Sequence, residues 1–123
     1  NVHGMKTAPN SNYPVWTDAK FWSFVRSGLR AKWVRWPPRF DAIKKARRAV
    51  ENKRHKWEVK CAMCKRWHML KNVQVDHIVP VGTLKEYAHL PAFVERLFVS
   101  ENKLRVVCKP CHNSITQATK KLP

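Results

Sequence analysis

The chain has 123 residues, a length that fits one domain of ordinary size. Its 25 Lys and Arg against 8 Asp and Glu give a formal net charge of +17, which indicates a polyanionic partner. No apolar run approaches the ~20 residues of a spanning helix, and the basic segments carry Trp rather than a broad aliphatic face. Nucleic acid is therefore favoured as the partner, and a membrane role is not expected.

The first sixteen residues are predicted to form an arm. Asn1–Gly4 precede Met5, so we interpret them as a tag remnant, and no secretory signal is visible. The stretch 5–16 is polar and turn-rich, with two prolines and no periodicity. We expect an N-terminal arm over residues 1–16 and a cytoplasmic, intracellular location.

A basic, Trp-rich helical region is predicted to follow, over residues 17–56. Thr17 and Asp18 are good N-cap residues, and beyond them apolar side chains recur every three or four residues. The recurring side chains are Trp22, Val25, Leu29, Trp33 and Trp36. We expect this helix to stop at Pro37-Pro38.

A second helix is predicted from Asp41, as its cap, toward Lys53. Its outer face is dense in cations, and like charges on adjacent turns repel one another unless a phosphate backbone relieves the repulsion. For the two basic helices together, the alternative is a solvated basic face, with the Trp side chains packed into the core. We expect phosphate contacts without base reading from Lys44, Lys45, Arg47 and Arg48, and from Lys109 farther along the chain.

Residues 57–123 are predicted to be one domain of short strands and helices. Its expected strands are 57–60 and 104–107, and two further extended segments, 69–70 and 73–75, flank Lys71-Asn72. An amphipathic stretch over 84–98 is interrupted at Pro91, so two short helices with a break at Leu90 are expected. A last helix should run from Pro110 to about Lys120.

Two C-x-x-C pairs give the strongest motif in the chain. They are Cys61-Ala-Met-Cys64 and Cys108-Lys-Pro-Cys111. Each such turn aims two thiolates at one point, and two turns complete the tetrahedral sulfur shell that Zn²⁺ prefers. Disulfides or unrelated core thiols are the alternatives, but basic neighbours favour thiolates and an intracellular chain seldom keeps disulfides. We expect a closed, structural zinc site, with His68 as a strand-face residue rather than a ligand.

An acid and two histidines lie between or directly after the two cysteine pairs in the sequence. Asp76 and His77 end an apolar strand-like run, and His112 directly follows the cysteine Cys111. If both cysteine pairs share one ion, Asp76 and His112 can converge. A strand-end cap for Asp76 and a hydrogen-bonded rim histidine for His77 are the alternatives.

The run 75–80, Val-Asp-His-Ile-Val-Pro, with 104–112, Leu-Arg-Val-Val-Cys-Lys-Pro-Cys-His, resembles the HNH endonuclease family. This family is the zinc-stapled branch of the ββα-metal (His-Me finger) nucleases, with phage and bacterial members. The resemblance covers about residues 57–120. It implies an α+β fold with a ββα-metal core stapled by a four-cysteine zinc site, behind the basic Trp-rich helical region.

The resemblance also implies metal-dependent hydrolysis of phosphodiester bonds in double-stranded DNA. His77 would be the general base that takes a proton from water, and Asp76 and His112 would hold one divalent cation, Mg²⁺ or Mn²⁺, with Ni²⁺ as a further option. The role suggested is phage genome processing, beside packaging proteins such as terminase and portal. A zinc-stapled nucleic-acid-binding module without catalysis is the alternative.

One position departs from the family pattern. The middle Asn of the family usually stands five positions before the third cysteine, where this chain has Lys103. The nearest asparagine is Asn102, which we expect to orient the base by pinning the loop. Ser100, Glu101 or the backbone are the alternatives for that role.

Overall fold

The computed structural model describes residues 8–52 and 54–121, with side chains described as far as residue 115. Over these residues the protein is a mixed α+β structure, and none of the described helices is long and apolar enough to cross a membrane. The chain divides into two compact units. One contains the described residues up to Trp36 together with Pro80–Phe98, and the other contains Pro37–Val79 and the described residues from Val99 onward. The domain boundaries predicted after residues 16 and 56 stay predictions.

Helix α1, Asp18–Trp33, is the main element of the first unit. The hydroxyl of Thr17 caps it by accepting a hydrogen bond from the Lys20 N–H at 3.2 Å, which satisfies one of the unpaired donors of the first turn. The predicted apolar stripe is confirmed in part: Trp36 lies beyond the end of α1, but the other four members pack into one hydrophobic cluster. Those members are Trp22, Val25, Leu29 and Trp33.

The described part of the arm is held by one buried amide. Asn10 donates from Nδ2 to the carboxylate of Asp18 at 3.0 Å, and its Oδ1 accepts from the N–H groups of Asn12 and Tyr13 at 2.8 and 3.0 Å. Its side chain is only 3% exposed, so it needs these partners to offset the loss of water. The turn before α1 is thereby fixed to the start of the helix.

Helix α3, Leu90–Leu97, completes the core of the first unit. The predicted break at Leu90 is confirmed, since a separate 3₁₀ turn, Tyr87–His89, ends where α3 begins. Pro91 lies in the first turn of α3, where its missing N–H costs no helical hydrogen bond. The buried core consists of Trp22, Val81, Leu84, Phe93 and Leu97.

Helix α2 opens the second unit and spans Pro37–Ala46. The predicted start at Asp41 is wrong, because Pro37 and Pro38 begin this helix. The predicted stop of α1 at Pro37-Pro38 is also wrong, because α1 already ends at Trp33. Proline has the backbone φ of a helix and lacks an N–H that the first turn would leave unpaired anyway. Asp41 therefore lies inside α2.

The predicted continuation of this helix toward Lys53 is also wrong. Arg47–Ala49 form strand β1, which pairs antiparallel with strand β2, Trp57–Lys60. Arg and Ala are good helix formers, so tertiary pairing overrides local propensity here. Lys53 itself lies outside the described residues.

Strand β3, Trp67–Met69, adds to the other side of β2 and gives the order β1-β2-β3. A 3₁₀ turn, Leu70–Asn72, then separates β3 from strand β4, Val73–His77. The extended segment predicted over 73–75 is confirmed within β4, whereas the one predicted over 69–70 is only partly right, because Met69 ends β3 and Leu70 begins the turn. The two strands pair with different partners rather than with each other.

Strand β5, Leu104–Cys108, pairs antiparallel with β4 in a second sheet, and helix α4, Lys109–Lys121, follows it directly. The strand predicted over 104–107 and the final helix are confirmed. Helices α2 and α4 both contact this pair of strands. Cys61, Val107 and Cys108 are buried together in this unit.

Removal of the Phe93 side chain tests the core of the first unit. Phe93 is fully buried, so we expect Phe93→Ala to lower the free energy of unfolding by about 3–5 kcal/mol through lost contacts and an unfilled cavity. Phe24→Ala is the control, since Phe24 is 64% exposed and touches Trp16 edge-on, and a loss of about 1 kcal/mol or less is expected. Urea denaturation followed by circular dichroism measures both, and equal losses would contradict this assignment of the core.

Candidate functional site

The first cysteine pair lies in a tight turn between β2 and β3. The Cys61 N–H donates to the Arg66 carbonyl at 2.9 Å, and the Lys65 N–H donates to the Cys61 carbonyl at 3.0 Å. Lys65 has a φ of 64°, a left-handed conformation that costs a non-glycine residue roughly 1–2 kcal/mol. The N–H groups of Met63 and Cys64 approach Cys61 Sγ at 3.3 and 3.4 Å. The turn therefore surrounds this sulfur with backbone donors.

The second cysteine pair joins a strand to a helix. Cys108 is the last residue of β5, and Cys111 lies in the first turn of α4. The first cysteine turn is fixed to the same strand, because the Ala62 N–H donates to the Val106 carbonyl at 2.8 Å. A helix N-terminus carries partial positive charge, which favours anionic sulfur at this position.

The four cysteine sulfurs form one cluster, in which all ligand atoms lie within 4.8 Å of one another. Cys64 Sγ and Cys108 Sγ are 3.9 Å apart, far beyond the ~2.05 Å of a disulfide bond, and all four cysteines are free. A tetrahedron with Zn–S bonds of about 2.3 Å has edges of about 3.8 Å. The cluster could therefore hold a metal ion such as zinc.

The ionisation of the cluster is uneven. Burial raises the pKa of the Cys61 thiol, but backbone N–H groups of Cys108, Cys64 and Met63 outweigh burial and lower it to about 6. Hydrogen bonding with the Cys108 sulfur, then burial and the sulfurs of Cys61 and Cys64, raise the pKa of Cys111 to about 12. Four thiolates at this spacing would repel one another, so a bound cation would favour the ionisation of all four.

His68 lies beside the cluster as a residue of β3. Its Nε2 is 3.5 Å from Cys64 Sγ, a distance that suits a hydrogen bond to sulfur. With four sulfurs already present, the imidazole is placed to support Cys64 from outside the cluster.

Asp76 and His77 are the last two residues of β4. The register of the strands places Asp76 opposite Arg105 and His77 opposite Leu104. Nη2 of Arg105 lies 3.3 Å from Oδ2 of Asp76 in a partly buried ion pair, and its Nη1 lies 3.6 Å from Sδ of Met63 in the first cysteine turn. Arg105 thus contacts both Asp76 and the turn that carries the first cysteine pair.

Arg105 is the residue that the sequence analysis missed. The sequence places it in a strand, but its partner depends on how β4 and β5 are aligned, and a shift of one residue would place it on the other face. The available signal is charge, since an acid in one strand and a cation in its partner favour an alignment that sets them opposite each other.

His112 lies in the first turn of α4, as predicted, and is partly buried. Among the described residues no hydrogen bond or ion pair joins it to Asp76. In the part of the chain that the structure describes, the four cysteines are the one group of three or more His, Cys, Asp or Glu side chains that lie close enough to share an ion. The structure therefore brings the four cysteines together, and the convergence of Asp76 with His112 stays a prediction.

Asn102 lies in a 3₁₀ turn, Glu101–Lys103, directly before β5. Its Oδ1 accepts a hydrogen bond from Ser100 Oγ at 2.6 Å, which is a contact within its own loop. The link from this loop to the end of β4 is made by the backbone, where the Ile78 N–H donates to the Lys103 carbonyl at 3.1 Å. The role predicted for Asn102 stays a prediction.

The lysines predicted to contact phosphate lie on helices. Lys44 and Lys45 are exposed on α2, and Lys109 is exposed as the first residue of α4. Nζ of Lys45 is 3.7 Å from a carboxylate oxygen of Glu101.

The two arginines predicted to contact phosphate lie on β1 rather than on a helix, and neighbouring strand residues face opposite sides. The guanidinium of Arg47 is 3.8 Å from the ring centre of Trp57. The guanidinium of Arg48 is 3.9 Å from the ring centre of Trp67 and also pairs with Glu58 at 3.0 Å. Both arginines thus have an aromatic partner, and Arg48 is in addition partly neutralised by a carboxylate.

Comparison of the chain with models of protein families, with curated proteins and with solved structures gave no match.

We expect the purified protein to contain about one equivalent of zinc, because the four sulfurs have the spacing of one tetrahedral site. Cys61→Ser should reduce the zinc content severalfold by removing a buried ligand. Met63→Leu is the matched control, since it changes a side chain of the same turn and keeps the backbone donors to Cys61 Sγ. Elemental analysis by mass spectrometry gives the stoichiometry, and full zinc content in Cys61→Ser would contradict a four-cysteine site.

Proposed function

We propose that the protein is a metal-dependent DNA endonuclease of the HNH type. The observation that supports this most is the order and pairing of three elements: β4 and β5 pair antiparallel, and α4 follows β5 without a break. Asp76 and His77 end the first strand, and His112 lies in the first turn of the helix. This agrees with the strand-strand-helix order that the motifs predict for a ββα-metal nuclease.

In this proposal the cysteine cluster holds a structural zinc ion. Four sulfur ligands close the coordination shell, which leaves no position for water or substrate. The cluster instead joins the turn after β2 to the junction of β5 and α4, so it fixes the first turn of α4 in place. His112 follows the ligand Cys111 directly and is therefore held by the same site.

A second, harder cation is expected at Asp76 and His112. A carboxylate oxygen and an imidazole nitrogen are suitable ligands for Mg²⁺ or Mn²⁺, and Mg²⁺ commonly uses only one or two protein ligands and keeps several waters. When bound, the cation would neutralise the charge that grows on the phosphate oxygens and on the leaving 3′ oxygen. Arg105 contacts Asp76 at 3.3 Å and keeps that carboxylate near the end of β4.

His77 is assigned the proton transfer. Neutral imidazole accepts a proton near neutral pH, which makes His77 suited to act as general base toward a water molecule. The water oxygen forms a bond to phosphorus as the bond from phosphorus to the 3′ oxygen breaks, and the proton of the water goes to His77. The backbone directly after His77 is fixed to the loop before β5, because the Ile78 N–H donates to the Lys103 carbonyl.

A zinc-stapled nucleic-acid-binding module without catalysis is the second candidate. One observation favours it: the carboxylate of Asp76 already has a cationic partner in Arg105, as a purely structural acid would. The two candidates differ at His77, because binding alone does not need a general base.

We expect His77→Ala to lower the rate of plasmid cleavage by on the order of a hundredfold or more, since it removes the general base. Nicking and linearisation of supercoiled plasmid are followed on agarose gels in buffer with Mg²⁺ or Mn²⁺ and in buffer without either. DNA affinity, measured by gel shift without added divalent cation, should stay within about threefold of that of the wild-type protein.

His89→Ala is the matched control for this experiment. His89 contacts Glu86 at 3.5 Å in the first unit and has no role in the proposed chemistry. The variant should therefore cleave plasmid at the same rate as the wild-type protein. Cleavage that is undiminished in His77→Ala would refute the assigned mechanism. DNA binding by the wild-type protein without any cation-dependent cleavage would favour the binding module.

A further inference from the structure

Two adjoining concavities lie in the second unit, outside the candidate site. One, of about 320 Å³, is lined on its basic side by Arg39, Lys44 and Arg47. The other, of about 400 Å³, is lined on its basic side by Arg54, Lys56 and Lys71. Leu70 lines both, so the two concavities meet at this residue. We call them together the basic groove.

The charge of the basic groove is one-sided. Among the described residues that line the two concavities, none is acidic. Glu58 approaches the groove from outside its lining, since it lies 3.9 Å from His55 of the second concavity, but it is already paired with Arg48. Six cations around a shallow concave surface produce a positive potential that a polyanion would reduce.

One cation of the groove is held in a fixed orientation. The guanidinium of Arg47 lies 3.8 Å from the ring centre of Trp57, which restricts the side chain without neutralising its charge. An arginine that is oriented before binding loses less conformational freedom when it contacts a phosphate. Trp57 and Leu70, 38% and 50% exposed, add apolar surface of the kind that packs against deoxyribose.

We infer that the basic groove binds the phosphate backbone of duplex DNA. This inference rests on the proposed function for its choice of DNA, and it assigns the contact to one surface. It divides the predicted cations of α2 and β1 into two classes: Lys44 and Arg47 belong to the groove, whereas Lys45 and Arg48 each have a carboxylate partner and lie outside the groove lining. The fifth predicted cation, Lys109, also lies outside this lining. The inference also assigns a phosphate contact to Lys71, which the sequence had not predicted.

The test compares two double variants that remove the same charge. Lys44→Gln with Lys71→Gln removes two exposed groove cations, and Lys45→Gln with Arg48→Gln removes two cations outside it. At about 0.1 M salt, each phosphate contact is worth up to about eightfold in affinity through counterion release. We expect the groove variant to bind a short mixed-sequence duplex roughly 10- to 60-fold more weakly, with a salt slope smaller by about 2. The control variant should change affinity about threefold or less.

Affinity is measured by fluorescence anisotropy without added Mg²⁺ or Mn²⁺, so cleavage plays no part in the result. If the wild-type protein does not cleave DNA but the groove variant shows the expected loss of DNA affinity, the proposed nuclease activity is refuted and the inference about the groove is supported. Equal losses in both variants, or no loss in either, would overturn the inference. So would weaker binding of the groove variant to anionic vesicles with unchanged binding to DNA. Circular dichroism and zinc content confirm that both variants are folded.

Discussion

The second unit depends on the meeting of four sulfur atoms at one point. Cys61 and Cys64 come from the turn after β2, whereas Cys108 and Cys111 come from the junction of β5 and α4. The hydrogen bond between Ala62 and Val106 acts on the same two segments, so a backbone contact and the sulfur cluster reinforce each other. An ion at this point would link strands of two different sheets, because β2 and β5 do not pair with each other. In a small unit with few buried aliphatic side chains, such a link replaces part of a hydrophobic core.

The sequence predicts the parts of the fold that depend on local chemistry. Thr17 is recognisable as a cap because a hydroxyl before an apolar stripe satisfies N–H groups of the first turn, and the structure contains that bond. The cysteine cluster is predictable because two C-x-x-C turns allow few other arrangements. What the sequence leaves open is pairing between distant segments. Nothing local distinguishes Arg47–Ala49 as a strand, and only the presence of β2 beside it makes this conformation favourable.

The candidate site shows the same division. The order of Asp76, His77 and His112 along the chain predicts the elements that carry them, and these elements are present. The contact between Asp76 and Arg105 depends on the register of β4 against β5, which the sequence does not specify. The surroundings of the surface cations cannot be predicted from the sequence either. Lys44 and Lys45 are neighbours in sequence, but Lys44 lines the groove whereas Lys45 lies close to a carboxylate. The basic composition therefore predicts a polyanionic ligand but does not predict which surface would bind it.

The core of the first unit has a consequence for how the protein can be shortened. Trp22 comes from α1 near the N-terminus, whereas Phe93 and Leu97 come from α3, which lies between β4 and β5 in the chain. A recombinant fragment that begins after α2 would retain α3 but lose the helix that covers it. Its apolar face would then be open to solvent, and such surfaces promote aggregation. Biochemical work on the cysteine-rich half of the chain is therefore best done with the N-terminal helix attached, or with polar residues substituted on the inner face of α3.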